Sequence, residues 1–342
     1  MRAILIPKHG GPEVLQYAEI ADPKPGPNEV LVRVHACALN HLDLWVRQGL
    51  NGVTFPLPLV PGSDVVGEVA AVGELATRVR PGDKVVLAPG VSCGQCSACA
   101  AGKDNECRKY APLGYGRNGG CAEYVVAPEV NVLPMPEGLS FEEAAAVPLV
   151  FLTAWHMLVA RARLQPGEEV LILGAGSGVG SAAIQIAKLM GARVIATAGS
   201  SAKLDKAREL GADELIDHAL RKISDEVRRL TAKRGVDVVF EHVGTATWEQ
   251  SILSLAIGGR LVTCGATSGF AAQLDLRYLF ARQLSLLGSY MGSRAELYTV
   301  LKLVGEKRLH PVIDRVFPLA EAIQAHRRME QREQFGKIVL AV

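Results

Sequence analysis

The chain has 342 residues, 49% of them apolar and 21% charged, which is long enough to bury a large core and predicts two domains. Its 37 basic and 35 acidic residues give a formal net charge of +2, and no basic run carries the interleaved aromatic residues of a nucleic-acid surface. No stretch reaches the ~20 apolar residues of a membrane span, and the N-terminal apolar stretch is too short for a signal peptide. We therefore expect a cytoplasmic globular protein that binds neither nucleic acid nor a membrane.

The N-terminal part of the chain consists of short β-rich runs interrupted by Gly and Pro. The runs are EVLVRVHACAL, VVGEVAAVG, DKVVLAPG and CAEYVVAP, and all of them lie before about residue 130. Short runs of this composition, bounded by turn residues, are typical of strands. This part of the sequence predicts a small all-β unit.

Four of the seven cysteines lie within the segment CGQCSACAAGKDNEC, residues 93–107. Their order is Cys93-x2-Cys96-x2-Cys99-x7-Cys107, which is too close for a disulfide framework in a reducing compartment. Four thiolates at this spacing can enclose one tetrahedral Zn²⁺ and leave no open position for substrate, so the spacing predicts a structural zinc ion. An iron–sulfur cluster is the alternative, but the ferredoxin pattern would continue with x3-Cys-Pro.

From about residue 141 onwards, helical stretches alternate with apolar strands. The strand-like runs include EEVLILGAG, ARVIATAG, DVVFEHVG, GRLVTCGA and LSLLGSYMG. Alternation of this length predicts a doubly wound α/β fold, in which helices cover both faces of a parallel sheet. After about residue 292, the helical stretch SRAELYTVLKLVGEK and the strand GKIVLAV are expected to return to the first unit.

The segment EVLILGAGSGVGSAAIQIAKLMG, which starts at Glu169, runs from an apolar strand through a small-residue turn into a helix. This arrangement brings backbone N–H groups and the positive end of the helix dipole to one point, which is a site for a pyrophosphate. The strict G-x-G-x-x-G spacing is absent, and small residues also serve to pack a helix on a sheet, so the assignment depends on the flanking strands and helix. The residues expected to contact a dinucleotide are Ala175, Gly176, Ser177, Gly178, Val179 and Gly180.

The end of the next strand, in RVIATAGSSAK, is where a dinucleotide fold selects between NAD and NADP. Enzymes that use NAD carry Asp or Glu at the place that Ala198 occupies here. Without that carboxylate nothing repels a 2′-phosphate, and the side chains of Ser200 and Lys203, after Gly199, can bind one. The sequence therefore favours NADP(H), with NAD(H) as the alternative if Lys203 is only the solvated start of a helix.

Together, the β-rich unit, the four-cysteine lobe and the dinucleotide fold resemble the medium-chain dehydrogenase/reductase superfamily along the whole chain. The segments KHGGPEVLQ and ALNHLDLWVRQG resemble its quinone oxidoreductase branch, whereas the four-cysteine lobe resembles the zinc-containing alcohol dehydrogenases. The resemblance implies a GroES-like catalytic domain at residues 1–130 and 291–342, with the zinc lobe at 93–107, and a Rossmann domain at 131–290. It also implies an NAD(P)-dependent oxidoreductase that acts on a small molecule.

In the alcohol dehydrogenases of this superfamily, a catalytic zinc ion is held by segments that match ALNHLD, PGSDVVG and PLVFLTAW here. The two Cys positions of that site hold Asn40 and Leu149, and its His-Glu pair is replaced by Ser63 and Asp64. An amide, a leucine and a hydroxyl do not replace thiolates and an imidazole around zinc, so we expect no catalytic zinc. The residues of an alternative metal site would be Cys37, His41, Asp43 and Asp64.

Without a Lewis acid, the expected reaction is hydride transfer to a quinone or to a conjugated alkene or carbonyl, because the negative charge then develops on an oxygen that hydrogen bonds can stabilise. We expect Asn40 and Thr153 to orient cofactor and substrate, with the proton supplied by His41 or water. The resemblance supports Asn40, which matches an asparagine of the quinone oxidoreductase branch. Asp43 is the fourth catalytic candidate. The second hypothesis is an alcohol or aldehyde dehydrogenase with unusual metal ligands, and the third is a binding module for NADP(H) without catalysis.

Each catalytic candidate also has a structural interpretation. Asn40 can cap a turn, and His41 can be exposed or bonded to a backbone carbonyl. Asp43 can hold its loop, and Thr153 can bond to a carbonyl of its own helix. The tyrosines that the quinone oxidoreductase branch carries near this site fall on Trp45 and Asn51, neither of which is an obvious proton donor.

The later strand ends complete the expected cofactor site, because ligands bind at the carboxyl ends of a parallel sheet. The segments EHVG and CGATSG place Val243, Gly244, Gly265 and Ala266 there, and the resemblance places His218 near the adenine ribose. The apolar run QLSLLGSYMG is expected at the edge of the sheet, where strands are usually paired or covered. In the resembled family this edge pairs across a two-fold axis, which implies a homodimer or homotetramer.

Overall fold

The computed structural model describes residues 1–342 and divides the chain into two units. The first unit comprises Met1–Leu149, Gly292–Lys307 and Pro311–Val342, and the second comprises Val150–Met291 and Arg308–His310. None of the helices combines the length and the apolar character that a membrane-spanning helix needs.

The strands and helices follow in chain order. The strands are β1 (Arg2–Leu5), β2 (Gln16–Glu19), β3 (Glu29–Ala38), β4 (Asp64–Val72), β5 (Lys84–Leu87), β6 (Gly90–Val91), β7 (Ala111–Pro112), β8 (Tyr124–Pro128), β9 (Val132–Pro134), β10 (Glu169–Ile172), β11 (Arg193–Ala198), β12 (Glu214–Asp217), β13 (Val236–Glu241), β14 (Leu255–Thr263), β15 (Ser285–Gly288), β16 (Ile313–Pro318) and β17 (Lys337–Ala341). The α-helices are α1 (His41–Gln48), α2 (Ser97–Ala100), α3 (Phe141–Ala145), α4 (Pro148–Trp155), α5 (Gly178–Leu189), α6 (Ser201–Glu209), α7 (Ile223–Leu230), α8 (Trp248–Ser254), α9 (Leu276–Ala281), α10 (Arg294–Gly305) and α11 (Ala322–Glu330). A π-helical turn, His156–Arg161, extends α4.

The first unit is built on a seven-stranded sheet in the order β16-β17-β3-β4-β5-β9, with β8 also paired to β3. In β3, Val30, Val32 and Val34 are buried and Arg33 is exposed, which is the period of two expected for a strand with one face on a core. Its antiparallel partner β4 begins at Asp64, opposite the last residue of β3. The sheet therefore brings the end of β3 and the start of β4 together.

The first unit reaches Leu149, whereas the sequence suggested a domain boundary at residue 130. The difference arises because β9 extends the first sheet by pairing with β5, and α3 packs against β3 and β4. A three-residue strand and a five-residue helix carry too little periodicity to be assigned from sequence. The chain returns to the first unit at Gly292.

The second unit contains a six-stranded sheet in the order β12-β11-β10-β13-β14-β15, and every pair in it is parallel. Its central strand β10 is apolar on both faces, with Val170, Leu171 and Ile172 all buried, as a parallel sheet covered by helices requires. The predicted doubly wound α/β fold with a β-rich GroES-like domain is therefore confirmed. β15 lies at the edge of the sheet, as the sequence indicated.

Candidate active site and metal centre

The four cysteines of the lobe at residues 93–107 form one cluster. Their sulfur atoms all lie within 4.8 Å of one another, and the Sγ atoms of Cys96 and Cys99 are 3.6 Å apart. A Zn–S distance of about 2.3 Å places tetrahedral sulfur ligands about 3.8 Å apart, so this donor set fits Zn²⁺. Four sulfurs fill the tetrahedron, which makes this a structural site.

The backbone around the cluster favours thiolates. Hydrogen bonds from the N–H groups of Gln95 and Cys96 lower the pKa of Cys93 to about 6. The backbone N–H of Cys93 and of Lys109 lie 3.5 and 3.4 Å from Cys107 Sγ. Ligating thiols must be deprotonated, so these N–H groups prepare the lobe for a metal ion.

The lobe is joined to α10 through Asp104. The Asp104 side chain is 5% exposed, and its Oδ1 accepts a hydrogen bond of 3.0 Å from the backbone N–H of Arg294. The Arg294 Nε lies 3.5 Å from Asp104 Oδ2. The lobe is thus fixed to α10 by a charge pair and a hydrogen bond.

A second polar cluster lies where β3 ends and α1 begins. Asn40 precedes α1, and its backbone N–H donates to Oδ2 of Asp43 at 2.7 Å. The other carboxylate oxygen of Asp43 accepts from the backbone N–H of Gly62 at 2.9 Å. Burial raises the pKa of Asp43 to about 6, although the N–H groups of Asn40 and Gly62 and the charge of Lys337 act in the opposite direction.

Lys337, the first residue of β17, projects into this cluster. Its Nζ donates to Asn40 Oδ1 at 2.6 Å and to Asp64 Oδ2 at 2.8 Å, and it is almost completely buried. Asn40 Nδ2 donates to the same Asp64 oxygen at 2.9 Å. The three side chains form a closed triangle of hydrogen bonds, which sequence analysis did not identify.

The residues that match catalytic zinc ligands in the resembled alcohol dehydrogenases make other contacts. Asp64 Oδ1 accepts from the backbone N–H of Leu149 at 2.7 Å, and Ser63 Oγ donates to the carbonyl of Leu113 at 2.7 Å. The Lys337 ammonium already supplies a positive charge at Asp64. The contacts of these residues do not fit a catalytic zinc ion.

Residues of the alternative metal site, Cys37, Asp43 and Asp64, also make other contacts. Cys37 lies 3.8 Å from Cys121, Sγ to Sγ, and the buried neighbour raises the pKa of the Cys37 thiol. Gly62 packs closely against this sulfur pair, since a Cβ on Gly62 would lie 2.6 Å from the Cys37 sulfur and 2.7 Å from the Cys121 sulfur. Asp43 is held by two N–H donors. Among the described residues, the structure gathers one metal-binding group, the cysteine cluster.

His41 and Thr153, the other two catalytic candidates, have different surroundings. His41 begins α1, and its ring lies edge-on to Trp45 with a centroid distance of 5.1 Å. Thr153 lies on α4 in the second unit and is 6% exposed, and its Oγ1 has no hydrogen-bond partner. The interpretation that Thr153 bonds to its own helix is therefore wrong. A buried hydroxyl without a partner fits a polar ligand atom.

The small-residue turn after β10 has the features of a phosphate site. Ser177 caps α5, since its Oγ accepts from the N–H of Gly180 at 2.9 Å and donates to the carbonyl of Gly174 at 2.8 Å. A Cβ on Gly180 would lie 2.4 Å from that carbonyl oxygen, so the helix approaches the strand closely only with glycine here. The first helical N–H groups, of Gly178 and Val179, have no acceptor within the helix and can bind a pyrophosphate.

The remaining cofactor candidates lie along the carboxyl ends of the same sheet. The N–H groups of Val243 and Gly244 follow β13 and donate to the buried Glu241 carboxylate at 3.0 and 3.1 Å. Gly265 and Ala266 follow β14. The others follow β10, β11 or β12, or lie at the start of the next helix; they are Ala175, Gly176, Gly199, Ser200, Lys203 and His218.

His218 contacts the end of β11 rather than solvent alone. Its Nδ1 lies 3.3 Å from Thr197 Oγ1, and burial lowers its pKa. A Cβ on Gly199 would lie 3.0 Å from His218 Nε2. His218 and Gly199 thus border the same strand end, where the ribose of a dinucleotide is expected.

His242 is a second residue that sequence analysis missed. It is buried, its Nε2 lies 2.8 Å from the carbonyl of Leu173, and burial lowers its pKa. The same nitrogen lies 3.4 Å from Ser177 Oγ. A neutral His242 therefore supports the phosphate turn from the neighbouring strand; its position directly after the apolar run of β13 was the available signal.

The chain matches known proteins over its full length. Residues 26–137 match the family model of the alcohol dehydrogenase GroES-like domain, and residues 178–306 match that of zinc-binding dehydrogenases. Quinone oxidoreductase of Homo sapiens is 30% identical over 333 residues, which are 95% of this chain and 93% of that protein. Acryloyl-coenzyme A reductase of Metallosphaera sedula is 33% identical over 345 residues, 99% of each chain.

A solved structure gives the same result at the level of the fold. The crystal structure of an NAD-dependent alcohol dehydrogenase superposes with a TM-score of 0.97, covers 100% of both chains and is 52% identical in sequence. Both family models, the full-length relatives and the phosphate turn thus agree with the resemblance seen in the sequence. The chain belongs to the medium-chain dehydrogenase/reductase superfamily, within its zinc-containing alcohol dehydrogenase family, and is an NAD(P)-dependent oxidoreductase.

Proposed function

We propose that this protein transfers a hydride from NADP(H) to a quinone or to an alkene or carbonyl activated by conjugation, without a catalytic metal. The observation that carries the proposal is the position of Lys337. Its ammonium group lies between Asn40 Oδ1 and Asp64 Oδ2, at two of the positions that match zinc ligands in the alcohol dehydrogenases. A divalent cation there would meet a fixed positive charge.

The acceptor class follows from the donor set of that cluster, in which the Lys337 ammonium group occupies the oxygen atoms that a Lewis-acidic metal ion would need. Oxidation of an unactivated alcohol builds charge on the reacting oxygen and needs strong electrostatic support. In a quinone or enone the charge develops on an oxygen remote from the carbon that receives the hydride, so hydrogen-bond donors suffice. Asn40 and Thr153 supply amide and hydroxyl groups for substrate and cofactor, and the proton comes from His41 or from water.

The cofactor preference rests on the end of β11. When bound, the reduced nicotinamide supplies the hydride. Ala198 ends β11 without the carboxylate that would accept from a ribose 2′-hydroxyl, and Ser200 and Lys203 offer a hydroxyl and an ammonium group instead. These features support NADP(H) over NAD(H). The N–H groups of Gly178 and Val179 would hold the pyrophosphate of either cofactor.

Two of the relatives support the acceptor class. One is named a quinone oxidoreductase and one an acryloyl-coenzyme A reductase, and both are similar over nearly the whole chain. A cytoplasmic location belongs to the same proposal, because the cysteine cluster needs reduced thiols. So does a homodimer or homotetramer, since β15 exposes a sheet edge that a second copy can pair with.

An NAD(P)-dependent alcohol or aldehyde dehydrogenase is the second candidate. It is favoured by the solved structure named an NAD-dependent alcohol dehydrogenase, which is 52% identical to this chain. That candidate would require a second metal ion or a metal-free alkoxide site. It also predicts alcohol-dependent reduction of NAD(P)+.

Two measurements on the purified chain test the proposal. Elemental mass spectrometry without chelator is expected to find one zinc per chain, and NADPH absorbance is expected to fall when quinones or enones are added. Two zinc ions per chain, with alcohol-dependent reduction of NAD(P)+, would transfer the assignment to alcohol dehydrogenation. No change in NAD(P)H absorbance with any quinone, enone, aldehyde or alcohol would contradict both candidates.

A further inference from the structure

We infer that Lys337 is a positioning residue that fixes the side-chain amide of Asn40 in one orientation, an inference that rests on the proposed role of Asn40 in hydride transfer. The amide has a donor end and an acceptor end of nearly equal size, and both ends lie in the buried triangle with Lys337 and Asp64. Which end meets the substrate decides whether Asn40 can donate a hydrogen bond to a developing oxyanion. The two charged neighbours make that choice.

The argument starts from what each neighbour can do. An ammonium group has hydrogens but no acceptor, so Lys337 Nζ, at 2.6 Å, must face the amide oxygen. An ionised carboxylate only accepts, so Asp64 Oδ2, at 2.9 Å, must face the amide nitrogen. A flipped amide would set Nδ2 against the ammonium and Oδ1 against the carboxylate. Both contacts would then be repulsive, and one orientation remains.

The rest of the Asn40 environment leaves one amide hydrogen weakly held. Of the two Nδ2 hydrogens, one is taken by Asp64, and the other has the Ala38 carbonyl at 3.4 Å, which is a long hydrogen bond. The backbone of Asn40 is fixed separately through Asp43. The geometry therefore presents a donor on a rigid support, as a hydrogen bond to an oxyanion requires.

A helix N-cap alone does not call for this arrangement. Capping α1 needs a side-chain oxygen near the first turn, and a neutral environment would serve. Burying Lys337 and Asp64 removes both charges from water, which costs free energy that a capping role does not recover. The buried Lys337–Asp64 pair therefore fits a role in orienting the Asn40 amide.

The test is a double-mutant cycle between Lys337→Met and Asn40→Ala. With an acceptor that the wild type reduces, Lys337→Met is expected to lower kcat at least about tenfold and to leave the KM for NADPH within about twofold. Because Lys337 acts through Asn40, adding Lys337→Met to Asn40→Ala is expected to change kcat by less than about twofold. The matched control is Lys302→Met, since Lys302 lies on α10 with 75% of its side chain exposed.

Two further variants separate orientation from folding. Asp64→Asn/Lys337→Met removes both charges, so it can fold without an unpaired ion, yet it leaves the Asn40 amide without charged neighbours and is expected to keep the low kcat. Lys337→Arg retains a pure donor and is expected to restore part of kcat. The inference would be overturned if the fold-losses in kcat of Lys337→Met and Asn40→Ala multiplied in the combined variant. A wild-type kcat in Asp64→Asn/Lys337→Met would also overturn it.

A readout without substrate distinguishes failure of the inference from failure of the proposed function. The side-chain amide of Asn40 gives a pair of ¹⁵N–¹H NMR signals, identified by their loss in Asn40→Ala. These signals are expected to shift in Lys337→Met, to stay close to wild type in Lys337→Arg and to be unchanged in Lys302→Met. Unchanged signals in Lys337→Met would refute positioning by Lys337 even if the wild type reduces quinones, whereas shifted signals with no turnover of any acceptor would refute the proposed function alone.

Discussion

The ammonium group of Lys337 lies 2.8 Å from Oδ2 of Asp64, and the two side chains are 3% and 0% exposed. The pair joins the first residue of β4 to the first residue of β17, strands that are not neighbours in the sheet. A buried charge that loses its partner keeps its desolvation cost and loses the compensating attraction. The pair thus makes the stability of the first unit sensitive to the loss of either charge.

Removing one partner is expected to destabilise the chain more than removing both. Lys337→Met leaves the Asp64 carboxylate buried and unpaired, which is expected to cost about 3–5 kcal/mol of unfolding free energy. Asp64→Asn/Lys337→Met is expected to recover most of that loss, because neither charge of the pair is left without its partner. Urea denaturation followed by circular dichroism measures both, with Lys302→Met expected to stay within about 0.5 kcal/mol of wild type. A double variant less stable than Lys337→Met would contradict this account of the pair.

The buried contact between Arg47 and His326 predicts how stability depends on pH. Arg47 Nη1 lies 3.1 Å from His326 Nδ1, both side chains are fully buried, and the second guanidinium nitrogen pairs with Glu330. Burial, with a smaller effect of the Arg47 charge, lowers the pKa of His326 to about 3. An unfolded histidine has a pKa of about 6.5, so as the pH falls below that value the unfolded chain binds a proton that the native chain does not bind.

Stability contributed by His326 is therefore present above about pH 6.5 and is lost as the pH falls toward 3. Below that pH, each pH unit lowers the unfolding free energy by about 1.4 kcal/mol. The unfolding free energy of the wild type is therefore expected to fall by about 2 kcal/mol more than that of His326→Gln between pH 7 and pH 5. Unfolding free energies of both proteins at a series of pH values measure the difference. The exposed His310, changed to Gln, is the control and is expected to follow wild type. Parallel curves for wild type and His326→Gln would show that the buried imidazole does not govern this pH range.

Zinc removal is expected to open the lobe at residues 93–107. Without a cation the four cysteines lose the bond that links their turns, and metal binding of this kind contributes directly to folding. Lys103, Arg108 and Lys109 then become sites for trypsin. Chelator treatment under reducing conditions, followed by limited trypsin digestion and mass spectrometry, is expected to give cuts at these residues, and added zinc is expected to restore resistance.

Cys107→Ser is expected to reproduce the chelated behaviour, whereas Cys264→Ser, outside the cluster, is expected to keep one zinc and remain resistant. Cleavage in the second unit instead of the lobe would argue against a local role of the zinc.

Local patterns in the sequence predicted the features whose residues are close in the chain. The cysteine spacing predicted a cluster because its four ligands lie within fifteen residues. The alternation of strands β10 to β15 with helices predicted a parallel sheet. Periodicity and spacing express local geometry, so these predictions needed no knowledge of the fold. The predicted boundary at residue 130 differs from the end of the first unit at Leu149, and β9, which lies between them, is too short to show a period.

The polar triangle could not be predicted in this way. Lys337 and Asp64 are separated by 273 positions, and neither residue type nor spacing relates them. What the sequence did hold was an isolated lysine at the start of the apolar run KIVLA in a strand already assigned to the first unit. A charge at the end of a buried strand calls for a partner, but the register that brings β17 beside β3 is needed to name it.

The cofactor preference can be tested at Ser200, the exposed residue that precedes α6. Ser200→Asp places a carboxylate at the end of β11, where it would accept from a ribose 2′-hydroxyl and repel a 2′-phosphate. We expect kcat/KM for NADPH to fall at least about tenfold relative to NADH, equivalent to about 1.4 kcal/mol of discrimination. Steady-state kinetics with both cofactors and one acceptor measures the ratio.

Ser200→Asn is the matched control, because asparagine has the shape of aspartate and no charge, and both are good N-cap residues. If charge repulsion is the cause, the asparagine variant keeps the wild-type ratio and the aspartate variant loses it. A wild-type ratio in both variants would mean that the 2′-phosphate does not lie near Ser200. Preference of the wild type for NADH would contradict the assignment to NADP(H) and would favour the cofactor named for the 52% identical relative.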